Sequence, residues 1–255
     1  MDATTTARVA LQCLDLTSLN DNDDATVIEA LCQRAKSRYG HVAAVCVWPQ
    51  WVALARSKLD ASIAVAAVAN FPHGSTDVER AVADAKSIVQ AGGQEVDVVL
   101  PYHALIIGKE LVCARLVRAV REACAGLRLK VILETGELRD PTLIDQAAQI
   151  AIDNGADFIK TSTGKTPVSA TLQAAEVMLQ VITRQPQELA QRIGFKPSGG
   201  IRTVAEAGAY IALTQKFLGV DAVNPQRFRI GASSLLSDIE AVLGGASSPT
   251  PTSGY

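Results

Sequence analysis

Eight short apolar runs, each separated from the next by a longer stretch, constrain this chain more than any other feature. They are ALQCLDLT (10–17), VAAVCVW (42–48), IAVAAVANF (63–71), EVDVVLP (95–101), LKVILET (129–135), DFIKTS (157–162), RIGFKPSGG (192–200) and FRIGASS (228–234). Between them lie stretches of helical period, among them 77–91, 104–125, 141–154, 171–184 and 203–216. Strand and helix alternating about eight times predict an α/β fold closed as a (β/α)8 TIM barrel. A doubly wound open sheet is the competing topology, but no GxGxxG follows the first run. Helix signals agree: Asp140-Pro141 places an acid before proline, Ser75-Thr76 precede Asp77 and Glu79, and Gly155 and Gly92-Gly93 stand where helices should stop. The 255 residues suit one barrel over 1–245, followed by a Pro- and Ser-rich flexible tail over 246–255 that ends in Tyr255.

Composition narrows the partners. A net charge of -2 and a pI near 5.9 give no long-range pull toward nucleic acid or acidic membranes. No apolar run reaches the roughly 18 residues needed to span a bilayer, and the first residues carry no basic-then-apolar signal, which reads as cytoplasmic. The five cysteines form no CxxC pair and the three histidines no HxH or HxxxH pair, so a catalytic metal is not expected.

Polar residues interrupt these runs at one end. Asp15, Cys46, Asn70, Asp97, Glu134, Lys160 and Lys196 each fall at or near the C-terminal end of a different run. In a TIM barrel that end is the catalytic face. Lys160 follows Phe158-Ile159. A lysine there either snorkels to solvent or pairs with an acid, or else burial lowers its pKa and leaves the neutral amine that attacks an aldehyde. Lys196 ends the next run. Neighbouring barrel strands lie about 4.8 Å apart, so a second ammonium at matching height would depress the first. Its other reading is a phosphate contact. Asp97, between valines, is either a buried anchor or the carboxylate that moves protons through carbinolamine, imine and enamine.

Three loops suit phosphate: Thr163-Gly164-Lys165, Ser198-Gly199-Gly200 and Gly231-Ala232-Ser233-Ser234. The last two follow the seventh and eighth runs, where many TIM barrels hold phosphate on backbone N–H groups. Lys130 is assigned near the N-terminal end of its strand, away from the chemistry, and Glu134 to a possible ion pair with a lysine.

Together DFIKTSTGK, IGFKPSGG, EVDVVLPY, VILETGELRD, NFPHG, LDLTSLN and GASSLL resemble the class I 2-deoxyribose-5-phosphate aldolases, from about residue 14 to the end of the chain. The resemblance implies reversible cleavage of 2-deoxy-D-ribose 5-phosphate to D-glyceraldehyde 3-phosphate and acetaldehyde, without a cofactor. By motif it implies that Lys160 forms the Schiff base, Lys196 perturbs it and Asp97 transfers protons. It further implies that Asp15, Cys46 and Lys165 line the substrate site and that Gly199, Gly200, Ser233 and Ser234 cradle the phosphate. The C-terminal Tyr255 is implied to assist proton removal at the acetaldehyde methyl. Ser198, where alanine is common, and Thr166-Pro167 depart from the family pattern without removing a catalytic group. A transaldolase-like Schiff-base enzyme and a non-catalytic sugar-phosphate-binding barrel are the alternatives. A homodimer is expected on base rates alone.

Overall fold

The computed structural model describes residues 1–245; the tail 246–255, with the expectation placed on Tyr255, lies outside the described residues. Eight parallel strands form one sheet: β1 Leu14–Thr17, β2 Ala44–Val47, β3 Ala64–Ala69, β4 Glu95–Val99, β5 Arg128–Ile132, β6 Phe158–Lys160, β7 Gly194–Lys196 and β8 Ile230–Ala232. Neighbours follow chain order from β1 to β7, and β8 pairs with β1, Leu14 opposite Ile230. Between β7 and β8 the wall is closed by Arg229 N–H donating to Phe195 O at 3.1 Å and Gly231 N–H to Pro197 O at 2.9 Å. This is the expected (β/α)8 barrel.

Helices cover the outside because each has one apolar stripe to bury. Val78–Gln90 inserts Ala81, Ala85 and Ile88, spaced three or four apart, and is capped by Asp77 accepting from Arg80 N–H. Val204–Leu218 starts with a full capping box between Thr203 and Glu206. Two sequence assignments need correction. Residues 10–12 belong to the helix Ala3–Gln12, whose Ala7, Ala10 and Leu11 have helical spacing that a short apolar run conceals. The helix expected over 104–125 is two helices, Tyr102–Ile106 and Glu110–Ala123, parted at Gly108, which has φ +73°.

The barrel interior is unusual in its filling. TIM barrels generally stack branched apolar side chains there. Here the inward positions of β4, β5, β6 and β7 carry Glu95, Asp97, Lys130, Lys160 and Lys196, all buried. Small residues on the facing wall leave room for these long side chains: Cys46 is in register with Ala66, and Ala66 with Glu95. Burying charge is tolerable only with paired partners, so this interior must be a closed ion network.

Candidate active site

Register brings the sequence-predicted residues together. Lys160 and Lys196 are opposite each other on β6 and β7, and both Nζ atoms donate to one oxygen, Asp97 Oδ2, at 2.9 and 2.7 Å. Asp97 stands opposite Lys130, whose Nζ is 2.8 Å from Asp97 Oδ1, 2.6 Å from Glu95 Oε2 and 3.2 Å from Asp15 Oδ2. Lys130 was expected near the strand end, away from the chemistry. It lies instead in the middle of β5, because the two-residue period that turns Ile132 inward turns Lys130 inward as well. Asp15 lies beneath the lysines, accepting from Lys196 at 2.5 Å and from Arg229 Nη1 at 2.6 Å. Arg229 also donates to Glu95 at 2.7 and 3.1 Å. Glu95, Lys130 and Arg229 are the network members that reading the sequence missed.

Counting charge singles out one member. The network holds three carboxylates, Asp15, Glu95 and Asp97, and four basic groups, Lys130, Lys160, Lys196 and Arg229, none more than 2% exposed. Within this contact network three cations balance three anions; the further buried carboxylate near Lys160, Glu134, makes no ion pair with it and is held by Thr163 and Thr166. Lys130 touches three carboxylates, Lys196 two and Arg229 two, whereas Lys160 touches Asp97 alone. Lys160 is therefore the member least held by carboxylates and the one that gives up a proton most readily. Burial depresses its pKa, Asp97 opposes that, and the Lys196 ammonium depresses it further, leaving it below the ordinary lysine value. Burial acts the same way on Lys196 and Lys130, but the carboxylates outweigh it and hold both above the usual range. Asp97 and Asp15, which burial alone would raise, are driven well below the usual carboxylate range by the surrounding cations.

Above Lys160 opens a cavity of about 360 Å³. Its wall includes Lys160, Thr163, Gly164, Lys165, Gly199, Gly200, Gly231, Ser233 and Ser234, so most of the predicted substrate-binding residues meet here. Asp15, Cys46, Asp97 and Lys196 are not on that wall; they lie in the buried layer. Gly199 and Gly200 have φ +86° and +81°, a left-handed pair that any side chain would strain. Ser233-Ser234 lead into the helix Leu235–Leu243, and the Ser234 hydroxyl makes no capping bond, so the helix N-terminus is open toward the cavity. Arg202, which drew no attention in the sequence, adds a second cation to the wall that carries Lys165. Among the described residues Glu134 makes no ion pair with a lysine, and Lys160 acts on it only at longer range. Burial raises its pKa and Thr163 stabilises the ionised form, donating its hydroxyl at 2.5 Å and thereby pinning the loop that carries Gly164 and Lys165. Asn70 is also structural, its amide donating to Ser75 O and Val99 O.

A larger cavity, about 610 Å³, lies at the N-terminal ends of the strands and is lined in part by Glu95, Arg128 and Arg229. Among the described residues its wall holds no lysine, so the smaller upper cavity is the candidate active site despite its size.

Gly231 tests how tightly the upper cavity is built. A Cβ there would lie 2.5 Å from Ser198 Oγ and 3.1 Å from Lys196 Cε. Gly231→Ala is expected to destabilise the fold by about 1–3 kcal/mol through overpacking. It should also lower activity by displacing Lys196; melting curves and steady-state rates check this, and an unchanged enzyme would show that the cavity floor is loose.

A parallel barrel with a buried, proton-poor lysine under an anion-suited cavity has the makings of an enzyme acting on carbonyl compounds. The profile of the DeoC/LacD family aldolases matches residues 9–238. A candidate deoxyribose-phosphate aldolase from Coccidioides immitis superposes with a TM-score of 0.81 at 30% identity, over 93% of this chain and 86% of that one. The aldolase QR15 gives 0.77 at 29% identity over 92% and 96%. The deoxyribose phosphate aldolase from Aeropyrum pernix shares the fold, with a TM-score of 0.73 at 23% identity over 94% and 97%. This chain belongs to the DeoC/LacD family and is an aldolase.

Proposed function

We propose that the protein is a class I aldolase that reversibly cleaves 2-deoxy-D-ribose 5-phosphate to D-glyceraldehyde 3-phosphate and acetaldehyde through a Schiff base at Lys160. The observation that carries this reading is a buried lysine held by a single carboxylate, beside a second lysine on that same oxygen, at the floor of a cavity that Lys165 and Arg202 make cationic. The neutral Nζ attacks the C1 aldehyde carbon, and the carbinolamine loses water to give the imine. Lys196, held above the usual lysine pKa and sharing Asp97 Oδ2 with Lys160, is the assigned proton donor to that departing hydroxyl. Removal of the C3 hydroxyl proton breaks the C2–C3 bond; C3 leaves as the aldehyde of glyceraldehyde phosphate, and the electron pair remains as an enamine. Protonation at C2 and hydrolysis of the imine release acetaldehyde and restore the amine.

Asp97 takes part as an acceptor that passes protons along its lysine contacts. With its pKa driven so low, it does not store them. The phosphate end fits the open helix start at Ser234, the left-handed Gly199-Gly200 turn and the two cations. The likeness of this chain to candidate deoxyribose-phosphate aldolases supports the substrate.

Reduction with borohydride in the presence of acetaldehyde tests the reading directly. It should leave one ethyl group on the peptide containing Lys160, and dihydroxyacetone should label poorly. Labelling of another lysine, or efficient trapping of the ketone, would overturn the assignment in favour of a different Schiff-base aldolase.

A further inference from the structure

The ion network extends well past the amine. From Lys160 it passes through Asp97 to Lys196 and Lys130, then through Asp15 to Arg229 and Glu95, with every step between 2.5 and 3.2 Å. Glu95 and Arg229 stand at the far end, on the wall of the lower cavity and outside the upper one. They touch neither Lys160 nor any group positioned for substrate. Yet both are buried, and between buried charges neither solvent nor salt screens much.

We infer that Glu95 and Arg229 are positioning residues that, from the opposite end of the barrel, fix the charge count of the network and so keep Lys160 an uncharged amine. The inference rests on the proposed role of Lys160 and adds the groups that maintain it. If Arg229 is removed, three carboxylates face only Lys130 and Lys196, and Lys160 becomes the third cation. If Glu95 is neutralised, two carboxylates serve three cations, and a proton on Lys160 is disfavoured further. The other groups facing Lys160 do not supply this control. Asp97 on β4 and Lys196 on β7 act within the same count, as do Lys130 on β5 and Asp15 on β1. The Cys46 thiol on β2 is held protonated by burial. Glu134, after β5, does act on Lys160 electrostatically, but it is bonded to Thr163 and Thr166 and stays the same in every variant compared below. Arg128 pairs with Glu95 at 2.8 Å but is 31% exposed, so water screens it.

The test reads the amine itself. Methylation of Lys160 by formaldehyde and cyanoborohydride, located by peptide mapping, is followed against pH in the full chain. Arg229→Met should move the midpoint up by about one pH unit, as expected for loss of a nearby cation. Glu95→Gln should move it down, the double variant should return it close to the starting value, and Arg229→Lys should leave it in place. Opposite shifts that cancel cannot come from general loosening of the barrel. Unmoved midpoints, or single variants that shift in the same direction, overturn the inference. Should Arg229→Met not fold, Glu95→Gln decides alone, since a midpoint that stays or rises is equally fatal. Because formaldehyde labelling does not need turnover, a protein that titrates as expected but fails to cleave the sugar phosphate would sink the proposed function and leave this inference standing.

Discussion

Lys160→Leu is expected to abolish cleavage, lowering kcat/KM by about four orders of magnitude or more, while leaving the fold as stable as before. The first half follows from chemistry, since no neighbouring group can replace the amine. Lys196 and Lys130 are protonated and engaged by two and three carboxylates. The second half follows from charge. A neutral amine contributes nothing to the balance of the network, and Asp97 keeps Lys196 and Lys130 after its 2.9 Å contact with Lys160 is gone. Binding of inorganic phosphate to the upper cavity should persist, because the phosphate-suited loops lie elsewhere on its wall. Residual cleavage would show that the nucleophile has been misassigned. A large fall in melting temperature would show that Lys160 carries charge in the resting protein.

What could be read in advance divides along the barrel axis. Lys160 and Lys196 stood out because each ends a strand run where such barrels do chemistry, and Asp97 because it interrupts a valine run; Asp97 was expected near the C-terminal end but lies in the middle of β4, and its side chain still meets both lysines. The glycine and serine pairs of the phosphate-suited loops are weak signals singly, since such pairs occur in ordinary turns; their place after the seventh and eighth runs is what marked them, and the structure puts them on one cavity wall. Lys130, Glu95 and Arg229 were not legible. Each sits toward the start of its run, where a charged residue ordinarily marks the passage from solvent into a strand. Their inward direction depends on the pleat, and their pairing depends on closure of β8 onto both β7 and β1, a long-range fact that no local pattern carries. One signal was available: Glu95 and Asp97 are two apart, so if one points inward the other must. Arg202 was hidden for a simpler reason, since it lies beyond the glycines that drew attention.

Lys130→Met reverses the pattern expected of Lys160→Leu, although both replace a barrel lysine with an apolar side chain of similar bulk. Lys130 is fully buried and carries a proton that three carboxylates share. Removing it leaves those carboxylates with two cations, at a cost of about 3–5 kcal/mol. For a barrel of this size that lowers Tm by on the order of 10 °C. Part of the loss is offset when Lys160 takes up a proton to become the missing cation, and that repair has a kinetic signature. The reaction needs the free amine, so a raised Lys160 pKa moves the acid limb of the rate profile to higher pH. Activity at neutral pH falls and recovers as the medium is made more alkaline. Thermal melts and kcat/KM measured across pH check both halves together. A protein that loses stability while its acid limb stays fixed would mean that Lys130 only braces the barrel. A protein that keeps its stability would mean that the three carboxylates do not need the proton assigned to it.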